Sequence, residues 1–288
     1  MPVYHDWHRI PALLAALQSQ TLAQDAWEVL LVDNAPQPDQ AGAILALPAN
    51  TRVLHCAQPG SYAARNHGAA HANAAWLAFT DADCRPHRQW LETLQAAIAA
   101  NSQSPGAPAP LLAGSIRMYP QAAEPSPYEI YDLIGGIRQD RYVRRGYAAT
   151  ANLTLAASTW KTLGGFDARR FSGGDADMCR RAVAHGHALH YLPEAVVYHP
   201  ARRHWRELVQ KSRRVKGGQI CAGTRSRRCQ WILRTLLPPV IAWWRFRHAR
   251  AWPWHYRLTA MRLQYRLWFV DIQETLHLLT RKAPPQRA

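Results

Sequence analysis

The first 83 residues alternate short apolar runs with stretches of helical period, and that alternation leaves few folds open. Strand-like runs lie near Val3, at Glu28 to Val32, at Arg52 to Cys56 and at Trp76 to Thr80. Between them, residues 8–20, 38–47 and 61–75 carry the helical spacing, the last opening at Ser61 as an N-cap. Strands alternating with helices pair in parallel, with helices on both faces of the sheet. The predicted class is therefore α/β with a Rossmann-like, mostly parallel sheet. Ligands of such sheets settle beyond the carboxyl ends of the strands. At those ends Asp33 closes one run, and Asp81 and Asp83 close another in Ala78-Phe79-Thr80-Asp81-Ala82-Asp83-Cys84. Two carboxylates one residue apart suit a hard divalent cation such as Mg²⁺ or Mn²⁺. Asp is equally common in strand-end turns, so the pair gains weight only from its neighbours.

Further along, the composition predicts loops at Asn101 to Pro110 and Pro120 to Pro127. A second acidic cluster stands in Phe171-Ser172-Gly173-Gly174-Asp175-Ala176-Asp177, followed by a helix that stops at Gly186 and a strand from Ala195 to Tyr198 that ends at His199. Acids in a first helical turn favour the macrodipole, and Asp177 can pair with Arg180 or Arg181. The double glycine adds something else, because it lets the backbone approach a ligand closely. A carboxylate on such a loop is placed to act as a base.

Charge divides the chain. Residues 1–199 carry 15 Lys+Arg against 16 Asp+Glu, residues 200–288 carry 20 against 3, so the net +16 belongs to the tail. Seven of the 12 Trp lie there too: Trp205, Trp231, Trp243, Trp244, Trp252, Trp254 and Trp268. Such a basic, aromatic mixture fits a membrane surface or a nucleic acid. Cys56, Cys84, Cys179, Cys221 and Cys229 form no CxxC pair, and an odd count argues against a closed disulfide framework. The opening MPVYHDWHRI lacks the apolar core and cleavage site of a secretory signal, which predicts a reducing, cytoplasmic setting, and the Asn152-Leu153-Thr154 sequon is read as accidental.

Taken in order, PVYHD at 2, LLVDNAP at 30, QPGSYAARNHGA at 58, AFTDADC at 78, NLTLAASTWKTLGGFD at 152, GGDADMCRRAVAHG at 173 and YLPEAVVYH at 191 resemble the family-two inverting glycosyltransferases of the GT-A fold, over about residues 2–200. The resemblance implies an enzyme that moves a hexosyl unit from a nucleotide diphosphate sugar, with UDP as the expected nucleotide, to a hydroxyl acceptor. It implies that Pro2, Val3 and Tyr4 line the base and ribose pocket, that Asp33 hydrogen-bonds the base and that Arg65 contacts the nucleotide. Asp81 would contact ribose or metal, Asp83 would be the firmer ligand of Mn²⁺ or Mg²⁺, and His199 a further one. Asp175 would be the general base, with Trp160, Gly165, Asp167, Gly174 and Asp177 around the acceptor. Two departures stand out. The usual apolar strand before PVY and the Asn after it are replaced by Met1 and His5, so the first strand looks clipped or begins upstream. Gly174 replaces the Glu usual before the base.

By this reading residues 1–200 form the catalytic domain, nucleotide-binding to about 100 and acceptor-binding from about 111, and residues 201–288 form a basic helical tail. The tail's apolar run Leu236 to Trp244 is too short to span a bilayer, and Pro238 and Pro239 break it into two helical pieces. An anionic membrane surface on the cytoplasmic face is its predicted partner, and a cell-envelope glycan or lipid-linked acceptor follows from that location. Two rival functions are weighed. A sugar-nucleotide pyrophosphorylase would need a Gly-rich phosphate loop, which the sequence lacks. A non-catalytic nucleic-acid-binding protein using the tail would leave Asp33, Asp81, Asp83, Asp175 and Asp177 without a role, so no nucleic-acid partner is expected.

Overall fold

The computed structural model describes residues 1–101, 107–221 and 224–280. Half of the predicted 101–110 loop, residues 102–106, and the last eight residues of the tail lie outside this description. The chain forms two compact units, one made of Met1–Arg117, Ile137–Ala168 and Gly174–His199, the other of Met118–Gly136, Arg169–Gly173 and the chain from Pro200 onward.

In the first unit the predicted alternation is realised. β1 (Pro2–Val3), α1 (Ile10–Gln18), β2 (Val29–Asp33), α2 (Gln40–Ala43), β3 (Thr51–His55), α3 (Ser61–Ala70) and β4 (Trp76–Phe79) follow one another. β1, β2 and β3 pair in parallel, with Val3 opposite Asp33 and Asp33 opposite His55. α2 is shorter than the sequence period predicts. Gly42 lies against the Trp7 ring, so close that a Cβ there would stand 2.6 Å from it. The N-cap of α3 is Gly60, with φ 116° and its N–H on the Asn34 side chain, and Ser61 is the first helical residue.

β5 (Arg85–Pro86), α4 (Trp90–Asn101) and β6 (Leu111–Tyr119) come next. After α5 (Pro127–Gly135) and α6 (Gln139–Val143), the chain returns through β7 (Leu153–Ala156), α7 (Ala157–Thr162), α8 (Gly174–Ala184) and β8 (Leu189–Pro200). The second sheet runs β4-β7-β6-β8-β5, and its pairs β4 with β7, β6 with β7 and β5 with β8 are antiparallel. The sheet system is thus mixed: parallel where strand and crossover helix alternate, antiparallel where longer connections bring the chain back. β1 is only two residues long, and a cavity of about 410 Å³ lies between β2 and β4, lined by Val29, Leu30, Gly68, Leu77, Phe79 and Leu94 among others. One core gathers Val3, Ile10, Leu13, Leu31, Trp90 and Leu112; another gathers Leu111, Leu153, Leu155, Phe166 and Met178.

The second unit is helical. α5 joins α9 (Trp205–Cys221), α10 (Arg225–Leu236), α11 (Val240–Arg247) and α12 (Trp254–Thr280), and α12 packs along α5, α9, α10 and α11. α10 ends immediately before Leu237-Pro238-Pro239, the break the two prolines predict. Polar contacts tie the helices inside. Asp132 accepts from Arg202 Nη1 (2.9 Å) and Lys211 Nζ (3.2 Å). Ser212 donates to Asp271, and Lys216 reaches Thr235 (2.9 Å). Among the described residues no helix is long and apolar enough to cross a membrane.

Candidate active site

Strand ends position the first cluster. β4 delivers Thr80, whose hydroxyl donates to the Ala151 carbonyl (2.9 Å), and the chain then turns through Asp81, Ala82 and Asp83 into β5. β5 pairs with β8 so that Arg85 stands opposite Tyr198, which carries His199 to the end of the Asp81–Asp83 turn. His199 Nε2 lies 3.8 Å from Asp83 Oδ1, and one ligand atom each from Asp81, Asp83, Cys84 and His199 falls within 4.8 Å of the others. Two carboxylates and an imidazole fit Mn²⁺ or Mg²⁺. Cys84 does not fit as a ligand, because burial, then Asp83 and Asp81, push its thiol well above the usual range and keep it protonated.

The second cluster gathers at the end of β2. Asp33 is buried and already engaged, accepting the Ala35 N–H on one carboxylate oxygen (3.0 Å) and the Asp39 N–H on the other (2.7 Å), so it holds the 35–39 loop. Next to it, the buried Asn34 donates to the Cys56 and Gln58 carbonyls and accepts from Gly60 N, which fixes the approach to α3. Val3 has its side chain in the core, whereas Tyr4 is exposed and its ring lies 4.4 Å from that of His5. His5 has φ 54°, the left-handed region in which Asn and His are the most tolerated residues after Gly. The exchange of Asn for His at this position thus keeps the backbone the turn requires.

Arg65 is not a surface side chain. It is 6% exposed, and its Nη2 donates to Asp81 Oδ1 at 2.5 Å, while the guanidinium stacks over the Tyr62 ring 5.7 Å away. Tyr62 continues the chain of contacts: its hydroxyl accepts the Gly174 N–H (2.9 Å) and lies 3.4 Å from Asp175 Oδ1. The two acidic motifs that the sequence shows separately are therefore bridged, Asp175 to Tyr62 to Arg65 to Asp81. Gly174 has its physical reason here, because a Cβ on it would come within 2.7 Å of the Tyr62 ring. The tyrosine occupies the space that a Glu side chain would need.

Asp177 pairs with Arg181 (2.9 Å), one of the two partners its helical spacing allows. Arg181 also donates to the Leu163 and Gly165 carbonyls and so clamps the loop that leads to Asp167. Gly165 has φ 72°, and a Cβ on it would stand 2.6 Å from Asn66 Oδ1. Asn66 receives Trp160 Nε1 (3.3 Å) and Phe166 N (2.8 Å) and donates to Phe166 O. Trp160 is half-buried against this hub and lines a cavity of about 420 Å³ with Gln58, His67 and Lys161. Tyr62, Asn34 and Asn66 escaped the sequence reading, and of Arg181 it caught only the pairing with Asp177. The first three sit in the quoted motifs, in GSYAARN beside Arg65 and in DNAP beside Asp33, yet nothing in a linear sequence reports that Tyr62 meets Gly174, 112 residues on, or that Asn66 meets Phe166, 100 residues on.

Residues 1–105 match the family model "Glycosyl transferase family 2". The glycosyltransferase AglE of Haloferax volcanii is 34% identical over 226 residues, covering 76% of this chain and 71% of AglE. Among solved structures, the mannosyltransferase PcManGT from Pyrobaculum calidifontis, in complex with GDP-Man and Mn²⁺, superposes with a TM-score of 0.59 at 16% identity, covering 98% of this chain and 86% of that one. S. aureus TarS 1–349 in complex with UDP-GlcNAc gives 0.53 at 15% identity, covering 98% and 90%. The strand-end carboxylates and the order of the motifs agree with these likenesses, and the chain belongs to glycosyltransferase family 2, with the GT-A fold.

Proposed function

We propose that this glycosyltransferase moves a hexosyl unit from a UDP-sugar to an acceptor hydroxyl with inversion at the anomeric carbon, in cell-envelope glycan or glycolipid synthesis. The observation that carries this reading is the bridge from Asp175 through Tyr62 and Arg65 to Asp81, which joins a base to a cation site. Asp83, His199 and Asp81 would hold Mn²⁺ or Mg²⁺, and a cation bound there would neutralise the diphosphate leaving group. Asp175 takes the proton from the acceptor hydroxyl as its oxygen attacks the anomeric carbon; the bond to the diphosphate oxygen breaks on the opposite face. An alcohol needs this help, which is typically worth about 10²–10⁴-fold.

The remaining residues position the substrates. Asp33, with Pro2, the Val3 backbone and Tyr4, receives the base and ribose, and Arg65 contributes its charge toward the diphosphate through its pair with Asp81. Trp160, Gly165, Asp167, Gly174 and Asp177 shape the acceptor side. Residues 201–288 hold the enzyme on the anionic, cytoplasmic face of a membrane, where a lipid-linked acceptor would be met.

Thermal unfolding with UDP and Mn²⁺, alongside GDP as a control, tests the donor site in wild type and Asp83→Ala. Metal-dependent stabilisation by UDP in the wild type alone is the expected result. Its absence from the wild type would refute the reading, and a panel of nucleotide sugars scored for donor hydrolysis then identifies the sugar.

A further inference from the structure

The helical unit leaves one coherent apolar surface uncovered. Leu233, Leu236 and Leu237 at the end of α10, and Val240, Ile241 and Trp244 on α11, are each between 51% and 73% exposed. Six large apolar residues within twelve positions is not the scatter ordinary surfaces show. Leu233 and Leu236 share one face of α10, Leu237 follows as its extended C-cap, and Val240, Ile241 and Trp244 share one face of α11. The opposite faces point inward: Thr235 is 3% exposed and Phe246 is fully buried, with Thr235 held by Lys216 and Phe246 packed against Tyr131. The fold therefore presents this tip while anchoring its back.

The surrounding charge indicates what covers it. From Leu208 to Val270 the sequence has 14 Lys and Arg and neither Asp nor Glu. Arg225, Arg227 and Arg228 on α10, and Arg234, Arg245, Arg247 and Arg250 about the tip, are exposed. Apolar residues ringed by arginines match the boundary between headgroups and acyl chains, where the stems of Arg lie along apolar surface and the guanidinium groups reach phosphate. Trp244 adds the side chain most at home at that depth. The apolar stretch is too short to go deeper.

We propose that the α10–α11 tip, Leu233 to Trp244, inserts into the interfacial layer of an anionic bilayer, with the flanking arginines on lipid phosphates. This rests on the membrane reading of the tail given above and gives it a definite contact surface.

Co-sedimentation with phosphatidylcholine vesicles containing 30% phosphatidylglycerol, on the full-length wild type and on Leu237→Asp/Ile241→Asp, tests it. Both positions are exposed, so circular dichroism should show unchanged helicity. The wild type should bind anionic vesicles at least tenfold more tightly than the variant and than it binds pure phosphatidylcholine. Brominated acyl chains should quench wild-type fluorescence more than that of Trp244→Phe. Equal vesicle binding by wild type and the double variant would overturn the proposal, as would a double variant whose only change is loss of self-association, which would assign the face to a second copy. Donor hydrolysis with water as acceptor is followed in parallel: if wild type lacks it, the transferase reading fails while the vesicle result still stands or falls alone.

Discussion

The acids of the two units do opposite work. In the first unit Asp81, Asp83 and Asp175 stand at a strand end, at a turn and in a first helical turn, only partly buried, with Arg65 on Asp81 and the Tyr62 hydroxyl by Asp175. In the second unit Glu207 accepts the N–H groups of Arg203 and His204, Asp271 takes Ser212 and Lys216, Glu274 takes Arg213, and Asp132 takes Arg202 and Lys211. These carboxylates are engaged within the unit. Arg225, Arg227, Arg228, Arg234, Arg245, Arg247 and Arg250 lie exposed. One unit thus places acids at strand and helix ends, and the other carries positive charge on its surface.

The largest effect should come from Asp175, the proposed base. Asp175→Asn keeps the shape of the side chain and its contact with Tyr62 while removing the proton acceptor, so kcat should fall by about 10²–10⁴-fold with the donor KM unchanged. Steady-state kinetics against donor and acceptor check this. A fall of less than tenfold would break the comparison, since Asp175 would then be as structural as Asp132. Gly174→Glu follows. Restoring the acid usual in the family would drive a side chain into the Tyr62 ring, at a cost of about 1–3 kcal/mol of stability. Tyr62→Ala combined with Gly174→Glu should recover part of that loss in thermal unfolding, and a Gly174→Glu protein as stable as the wild type would remove Tyr62 as the reason for the glycine.

The asymmetry also governed how much could be read from sequence. The parallel β1–β3 sheet, the strand ends at Asp33 and Asp81, and the helix opening at Asp175 are local events, each written within about ten residues. Pairing of Asp177 with Arg181 is legible for the same reason. The antiparallel return of β7 and the reach of Tyr62 to Gly174 join residues 74 to 112 positions apart, and only the packed core decides them. A short β1 was visible; the cavity beside it was not, because a cavity records how two sheets fail to meet. In the tail, the prolines announced the helix break, but composition alone could not separate Thr235 and Phe246, which turn inward, from Leu237 and Ile241, which turn out.

Internal pairing in the second unit makes a prediction about acid. Burial alone would raise the Asp132 carboxyl, yet Lys211 and Arg202 hold it down to about 2, against 3.8 ordinarily. Its stabilising contribution is complete above pH 3.8 and is lost as pH falls through 2, worth about 2 kcal/mol. Burial raises Asp271, with Lys216 and Ser212 offsetting only part of it, so its contribution runs the other way, present in acid and lost as pH rises. Asp132→Asn should therefore flatten the loss of stability below pH 4, whereas Asp271→Asn should remove a decline in stability that sets in as pH rises past 3.8. Urea titrations from pH 2 to 6 on both variants read this; parallel profiles would show that neither carboxyl governs the unit.

The smallest expected effect tests the bridge within the first unit. Tyr62→Phe preserves the ring beneath Arg65 and beside Gly174 but deletes the hydroxyl that receives Gly174 N–H and lies by Asp175. A buried N–H left without its acceptor costs about 1–3 kcal/mol, and a solvated one less, so a stability loss near 1 kcal/mol is expected. A merely structural tyrosine would stop there. If the hydroxyl also orients the base, Tyr62→Phe should lower kcat several-fold on its own but add nothing in the background of Asp175→Asn, because the group it positions is then no longer a base. Independent, multiplicative losses in that double-mutant cycle would separate Tyr62 from Asp175 and leave the two acidic clusters as neighbours with no functional link.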